Sequence, residues 1–91
     1  MSTATEKDTN TTNLLGKPYN VILFNDDHHD MMEVSAQIIK ATHCSAERAV
    51  TIMLEAHVTG RAIVFSGTRE RCELVEGILA EIRLSTRIEP A

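Results

Sequence analysis

The densest cluster of polar chemistry in the chain is the run Asn25-Asp26-Asp27-His28-His29-Asp30. Asn25, Asp26 and Asp27 bring an amide and two carboxylates together, and amide and carboxylate oxygens accept hydrogen bonds. A ligand with several N–H donors and a positive charge suits such a set, and a protonated α-amino group is one. The alternative is purely local, with Asn and Asp serving their own backbone in an Asx-turn ahead of a helix cap. His57 is the second group of interest. It stands one turn after Met53 on an expected helix, where a lone histidine is ordinarily a satisfied core or edge residue. It gains a chemical role if the fold turns it toward the acidic loop.

His28, His29, His57 and the nearby aspartates also raise the question of a metal. Their spacing counts against it: adjacent His28 and His29 point in different directions, and no His-x₃-His or Cys-x₂-Cys pair is present. Nucleophilic catalysis finds no support either, because neither cysteine nor any serine sits in a strained elbow and no glycine-rich phosphate loop exists. The expected chemistry is binding without catalysis, and with neither cofactor nor metal. Four methionines against three aromatic residues fit core filler, and Met also suits surfaces that accept varied side chains.

The elements that must position these groups follow from pattern. Residues 19–24 read Tyr-Asn-Val-Ile-Leu-Phe, a short β-branched and aromatic strand closed by the polar loop. Asp30 caps the next helix, with Glu33 three positions on, and Met31, Val34, Ile38 and Ala41 mark its apolar face. Ser45 caps a second helix, with Glu47 in its first turn. Its expected stripe is Ala49, Val50, Met53, Leu54 and His57 or Val58, and Gly60 is suited to end it in the left-handed conformation. Residues 61–66 read as a second strand and Gly67-Thr68 as a turn and cap. Cys72, Val75, Ile78, Leu79 and Ile82 trace a third helix, and Leu84, Thr86 and Ile88 alternate in a last strand. The order β-α-α-β-α-β predicts an α+β sandwich, three helices packed on a small three-stranded sheet.

Composition narrows the partners. Ninety-one residues make one domain, and a chain this short buries only about 60–65% of its unfolded surface, enough for one core and one shallow functional face. Thirteen acidic residues against nine scattered basic ones give a net charge of −4, which disfavours nucleic acid. Residues 1–17, rich in Thr, Asn and Ser, read as a flexible tail, with the folded domain at residues 18–91. The tail resembles neither a signal nor a transit peptide, and no apolar run approaches the roughly 20 residues that cross a bilayer. Cys44 and Cys72 are expected to be reduced, in a soluble reducing compartment.

Four pieces together carry a resemblance: Tyr-x-Val-Ile-Leu-x-Asn-Asp-Asp at residues 19–27, Met31 after it, Glu47-Arg48-Ala49, and Met53-Leu54-x-Ala56-His57-x-x-Gly60-x-Ala62. Across residues 19–89 the chain resembles the ClpS adaptors of the bacterial N-degron pathway. The resemblance implies that Asn25, Asp26 and His57 hold the α-amino group of a substrate protein's first residue. It implies a pocket for the first side chain (Leu, Phe, Tyr or Trp) at Met31, Val34, Met53, Ala56 and Leu84, with Asp27 and His29 at its rim. It further implies a monomer that docks on the N-terminal domain of a ClpA- or ClpC-type AAA+ unfoldase, with Glu70 on the docking face and the tail triggering handover. The setting implied is bacterial cytoplasm or the stroma of a bacterium-derived organelle. An alternative is a domain of the same fold that docks on the unfoldase without reading N-termini. Departures from the family pattern are His29 for a small hydroxyl residue, Asp30 for a proline, Ala56 for a branched aliphatic residue, and a shortened join before the last strand.

Overall fold

The computed structural model describes residues 16–91; the expected tail falls mainly on residues 1–15, outside the described residues. The elements are β1 (Tyr19–Phe24), α1 (Met31–Thr42), α2 (Ala46–Thr59), β2 (Arg61–Gly67), α3 (Arg69–Leu79), a 3₁₀ turn (Ala80–Ile82) and β3 (Thr86–Pro90). The sheet order is β2-β1-β3 with both pairings antiparallel. The most apolar strand is therefore central, and Val21, Ile22 and Leu23 are all buried. The expected α+β sandwich of three helices on a three-stranded sheet is the fold observed.

Alternation assigns each strand a face. Val21 and Leu23 of β1 and Ala62 and Val64 of β2 meet the helices. Those supply Val34, Ile38 and Ala41 from α1, Ile52, Met53 and Ala56 from α2, and Cys72, Val75 and Leu79 from α3. The register between β1 and β2 shifts between Val21 and Ile22. On the helix-free face the Phe24 ring lies under two guanidinium groups, Arg61 and Arg87, each 5.6 Å from its centroid, and Arg61 Nη2 donates to Glu89 Oε1 at 2.8 Å. Long charged side chains thus cover apolar surface that the helices leave open.

All three expected caps form. Asp30 accepts from the Glu33 amide at 2.8 Å, Ser45 from Arg48 at 3.0 Å and Thr68 from Arg71 at 3.2 Å. Each meets one of the orphan N–H groups at a helix start.

Two details differ from expectation. The buried stripe of α2 is Ala49, Ile52, Met53 and Ala56, whereas Val50, Leu54 and Val58 face outward. Both sets have helical spacing, so periodicity cannot choose between them. The third helix ends at Leu79, not Ile82, and tightens into the 3₁₀ turn. Arg83 there adopts φ 64°, its amide donating to Ala80 and that of Leu84 to Leu79 (2.9 and 3.3 Å). This reversal lets a short join return the chain to β3, which begins at Thr86 and leaves Leu84 buried ahead of it. None of the described helices is long and apolar enough to cross a membrane.

Candidate functional site

The strand β1 does not simply run out into a loop; its exit is tied on both sides. The Phe24 amide donates to the Ser85 carbonyl and the Asn25 amide to the Gly60 carbonyl, both at 3.0 Å. The first bond anchors the loop start to the α3–β3 join and the second to the turn that ends α2. Gly60 caps that helix at φ 97°, a left-handed conformation that costs glycine little. His57 lies in the last turn of the same helix, so the polar loop and the imidazole are drawn to one end of the molecule.

There they surround a hollow of about 190 Å³. Every residue expected in the site lines it: Asn25, Asp26 and His57, the apolar Met31, Val34, Met53, Ala56 and Leu84, and the rim pair Asp27 and His29. Val34, Met53, Ala56 and Leu84 are buried, whereas Met31 is 49% exposed and stands at the opening. Leu23 and Phe24 also contribute to the wall and were not anticipated. Their signal was the strand itself, since its last two residues must flank whatever the following loop encloses. Glu70 is exposed in the first turn of α3 and is not part of the lining.

Asp26 is the most engaged side chain of the loop. Its Oδ1 accepts from the amides of His28 (2.6 Å) and His29 (3.2 Å), and its Oδ2 lies 2.8 Å from His29 Nδ1. Burial works against its charged form, but these backbone and imidazole donors outweigh it and hold the carboxyl below its ordinary value of 3.8. His29 responds in the opposite sense: the hydrogen bond to Asp26 is the main cause that lifts its imidazole above 6.5, against burial. Asn25 Nδ2 reaches Asp27 Oδ1 at a long 3.4 Å, which turns the amide nitrogen toward Asp27 and its oxygen away. The partnership of His29 with Asp26 was not legible beforehand, because spacing within an irregular loop does not define which side chains meet. Among the described residues no group of three or more His, Cys, Asp or Glu is placed to hold a metal ion.

The hollow therefore combines a carboxylate fixed in its ionised form with an apolar floor, the combination expected of a small amphiphilic cation's receptor. The sequence profile described as "ATP-dependent Clp protease adaptor protein ClpS" matches residues 16–83.

The chain belongs to the ClpS family.

The family is one of adaptors for the ATP-dependent Clp protease. The ATP-dependent Clp protease adapter protein ClpS of Acetivibrio thermocellus is 36% identical over 83 residues, covering 87% of this chain and 84% of that protein. ClpS of Synechococcus elongatus is 31% identical over 91 residues, covering 99% and 96% respectively. Among solved structures, Agrobacterium tumefaciens ClpS2 bound to L-phenylalaninamide superposes with a TM-score of 0.77 at 25% identity, covering 82% of this chain and 98% of that one. The ClpS profile match spans the loop, both helices of the hollow and the end of α3, stopping one residue before Leu84.

Proposed function

We propose that this ClpS-family chain binds the free α-amino group and bulky apolar first side chain of substrate proteins and passes them to a Clp-type AAA+ unfoldase. The observation that carries the reading is the junction of Asn25, Asp26 and His57 with an apolar hollow in a single cavity. An ammonium ion leaves water only where opposite charge and acceptors already wait. Burying one large apolar side chain contributes about 1.5–3 kcal/mol, which association costs consume unless a second favourable contact accompanies it. A ligand must present both features at once, which selects an exposed terminus with a large first residue. L-Phenylalaninamide, bound by the Agrobacterium relative, has both: a free α-amino group and a benzyl side chain. That supports assigning the same ligand class to this chain.

In this reading Asn25, Asp26 and His57 hold the ammonium, and Met31, Val34, Met53, Ala56 and Leu84 receive the side chain. Asp27 and His29 shape the rim. Residues 18–91 act as the adaptor domain and residues 1–17 as the segment engaged by the unfoldase during handover. The partner is the N-terminal domain of a ClpA- or ClpC-type unfoldase, with Glu70 on the docking face of a monomeric adaptor. The chain itself catalyses nothing, and it works in bacterial cytoplasm or an organelle stroma.

The test is fluorescence anisotropy with labelled peptides that begin with Phe or Leu. Binding is expected to weaken at least about tenfold on acetylating the peptide's amino group, and likewise on Asp26→Asn, since charge-assisted hydrogen bonds are roughly twice as strong as neutral ones. Equal binding of acetylated peptide overturns the ammonium reading. No binding of either, with unfoldase docking intact, favours a regulatory domain of the same fold.

A further inference from the structure

The hollow contains a contact that the binding reading does not require. His29 Nδ1 lies 2.8 Å from Asp26 Oδ2, and the two side chains are only 17% and 12% exposed. A carboxylate can only accept, so Nδ1 carries the hydrogen whether the ring is neutral or protonated. The contact therefore survives titration of the imidazole, and what changes is its charge. A protonated ring sets a full positive charge against the same carboxylate that an incoming ammonium must use. Asp26 Oδ1 is already shared between two backbone amides, so the ligand cannot avoid the shared side chain.

We propose that His29 is a positioning residue and proton sensor for Asp26. Neutral, it orients the carboxylate; protonated, it competes with the ligand's ammonium for it, so free N-termini are captured more tightly at neutral than at mildly acidic pH. This deepens the α-amino reading of the hollow and rests on it.

The surroundings of His29 bear on where the change occurs. Asp26 lies against it, Glu33 from the first turn of α1 adds negative charge, and the Ile82 carbonyl from the 3₁₀ turn also favours the protonated ring. Asp27 from the loop and His57 from α2 line the same hollow. The balance lifts the imidazole above its ordinary range, chiefly through the Asp26 hydrogen bond and against burial, which brings the transition toward physiological pH. A bound ammonium offsets the charge of Asp26 that stabilises the protonated ring. By linkage, ligand binding then expels a proton from His29.

The experiment measures dissociation constants for a Phe-initiated peptide from about pH 5.5 to about pH 7.5, the span in which histidine titrates, for the wild type and for His29→Asn. Asparagine keeps an N–H donor near the Nδ1 position without titrating. Wild-type affinity is expected to rise about five- to tenfold across the span, as a like charge within a few ångströms of a half-shielded site requires, and the variant's profile to be distinctly shallower, the slope that remains belonging to the other ionisable groups of the hollow. Identical profiles in both proteins overturn the proposal while leaving the ammonium reading intact. Binding that is indifferent to acetylation of the peptide at every pH overturns both. NMR titration of the His29 ring in the wild type keeps the test independent of the variant's folding. Its midpoint is expected to fall when peptide is bound, and an unmoved midpoint rejects the mechanism.

Discussion

The Asn25 amide donates to the Gly60 carbonyl at 3.0 Å, so the residue that opens the polar loop is fastened to the one that terminates the helix bearing His57. One hydrogen bond thereby couples two halves of the site that are 35 positions apart in the chain. The coupling depends on Gly60 holding φ 97°. A Cβ there would meet nothing within 4 Å, so the cost of Gly60→Ala is conformational and not steric. The expected loss is about 1 kcal/mol, read as a lower denaturation midpoint in urea, accompanied by weaker peptide binding. An unchanged midpoint contradicts the role given to this turn.

Ala56 is buried and lines the hollow between Met53 and His57. Ala56→Ile adds volume where a ligand side chain is expected. Overpacking of this kind costs about 1–3 kcal/mol, so peptides beginning with Trp or Phe should lose at least about fivefold in affinity, and those beginning with Leu less. Competition titrations across peptides differing only at the first residue check this. A melting curve for the variant separates pocket filling from damage to the core.

The Asp26–His29 pair also predicts how stability depends on pH. His29 is raised above 6.5, so its contribution is fully present below that value and is lost as pH climbs through the folded one. Asp26 is held below 3.8 despite burial, so its contribution is present above that value and is lost as pH falls through the folded one. Both conditions are met from about pH 4 to the mid-sixes, and there the wild type should exceed His29→Asn most in urea midpoint. The gap should narrow on either side. Mild acid is thus expected to strengthen the loop while weakening ligand capture, and opposite slopes in one variant pair would be hard to obtain from a simple structural defect.

The thiols should differ in reactivity. Cys72 is fully buried, with Sγ 3.4 Å from the Tyr19 carbonyl oxygen, and burial pushes its pKa up. Cys44 is partly exposed. A thiol reagent should therefore modify Cys44 readily and Cys72 only on unfolding. Rapid labelling of both in native protein contradicts the packing of α3 on β1.

Much of this arrangement was legible because several levels of the chain agree. The run at 19–24 has strand residues and a polar stop, and Asp30, Ser45 and Thr68 announce their helices by capping chemistry that depends only on local backbone. The inward face of α2 is legible only in part: Ala49 and Met53 are buried as their spacing predicts, but Val50, Leu54 and Val58 repeat as regularly as Ile52 and Ala56, which are buried in their place. Only the sheet, a distant partner, decides between them. The close of the third helix was misjudged for a related reason: Ile82 continues the apolar rhythm, but the chain must reverse within a few residues to supply β3. The lining of the hollow was reached through resemblance more than periodicity, whereas Leu23, Phe24 and the His29 contact needed coordinates.

The double tether on the exit of β1 also bears on kinetics. A cavity whose walls are fastened together before any ligand arrives has little ordering left to undergo, so on the proposed function capture should need no slow closing step. Encounter rates should then vary little from one first residue to another, and discrimination should reside in how long each terminus stays bound.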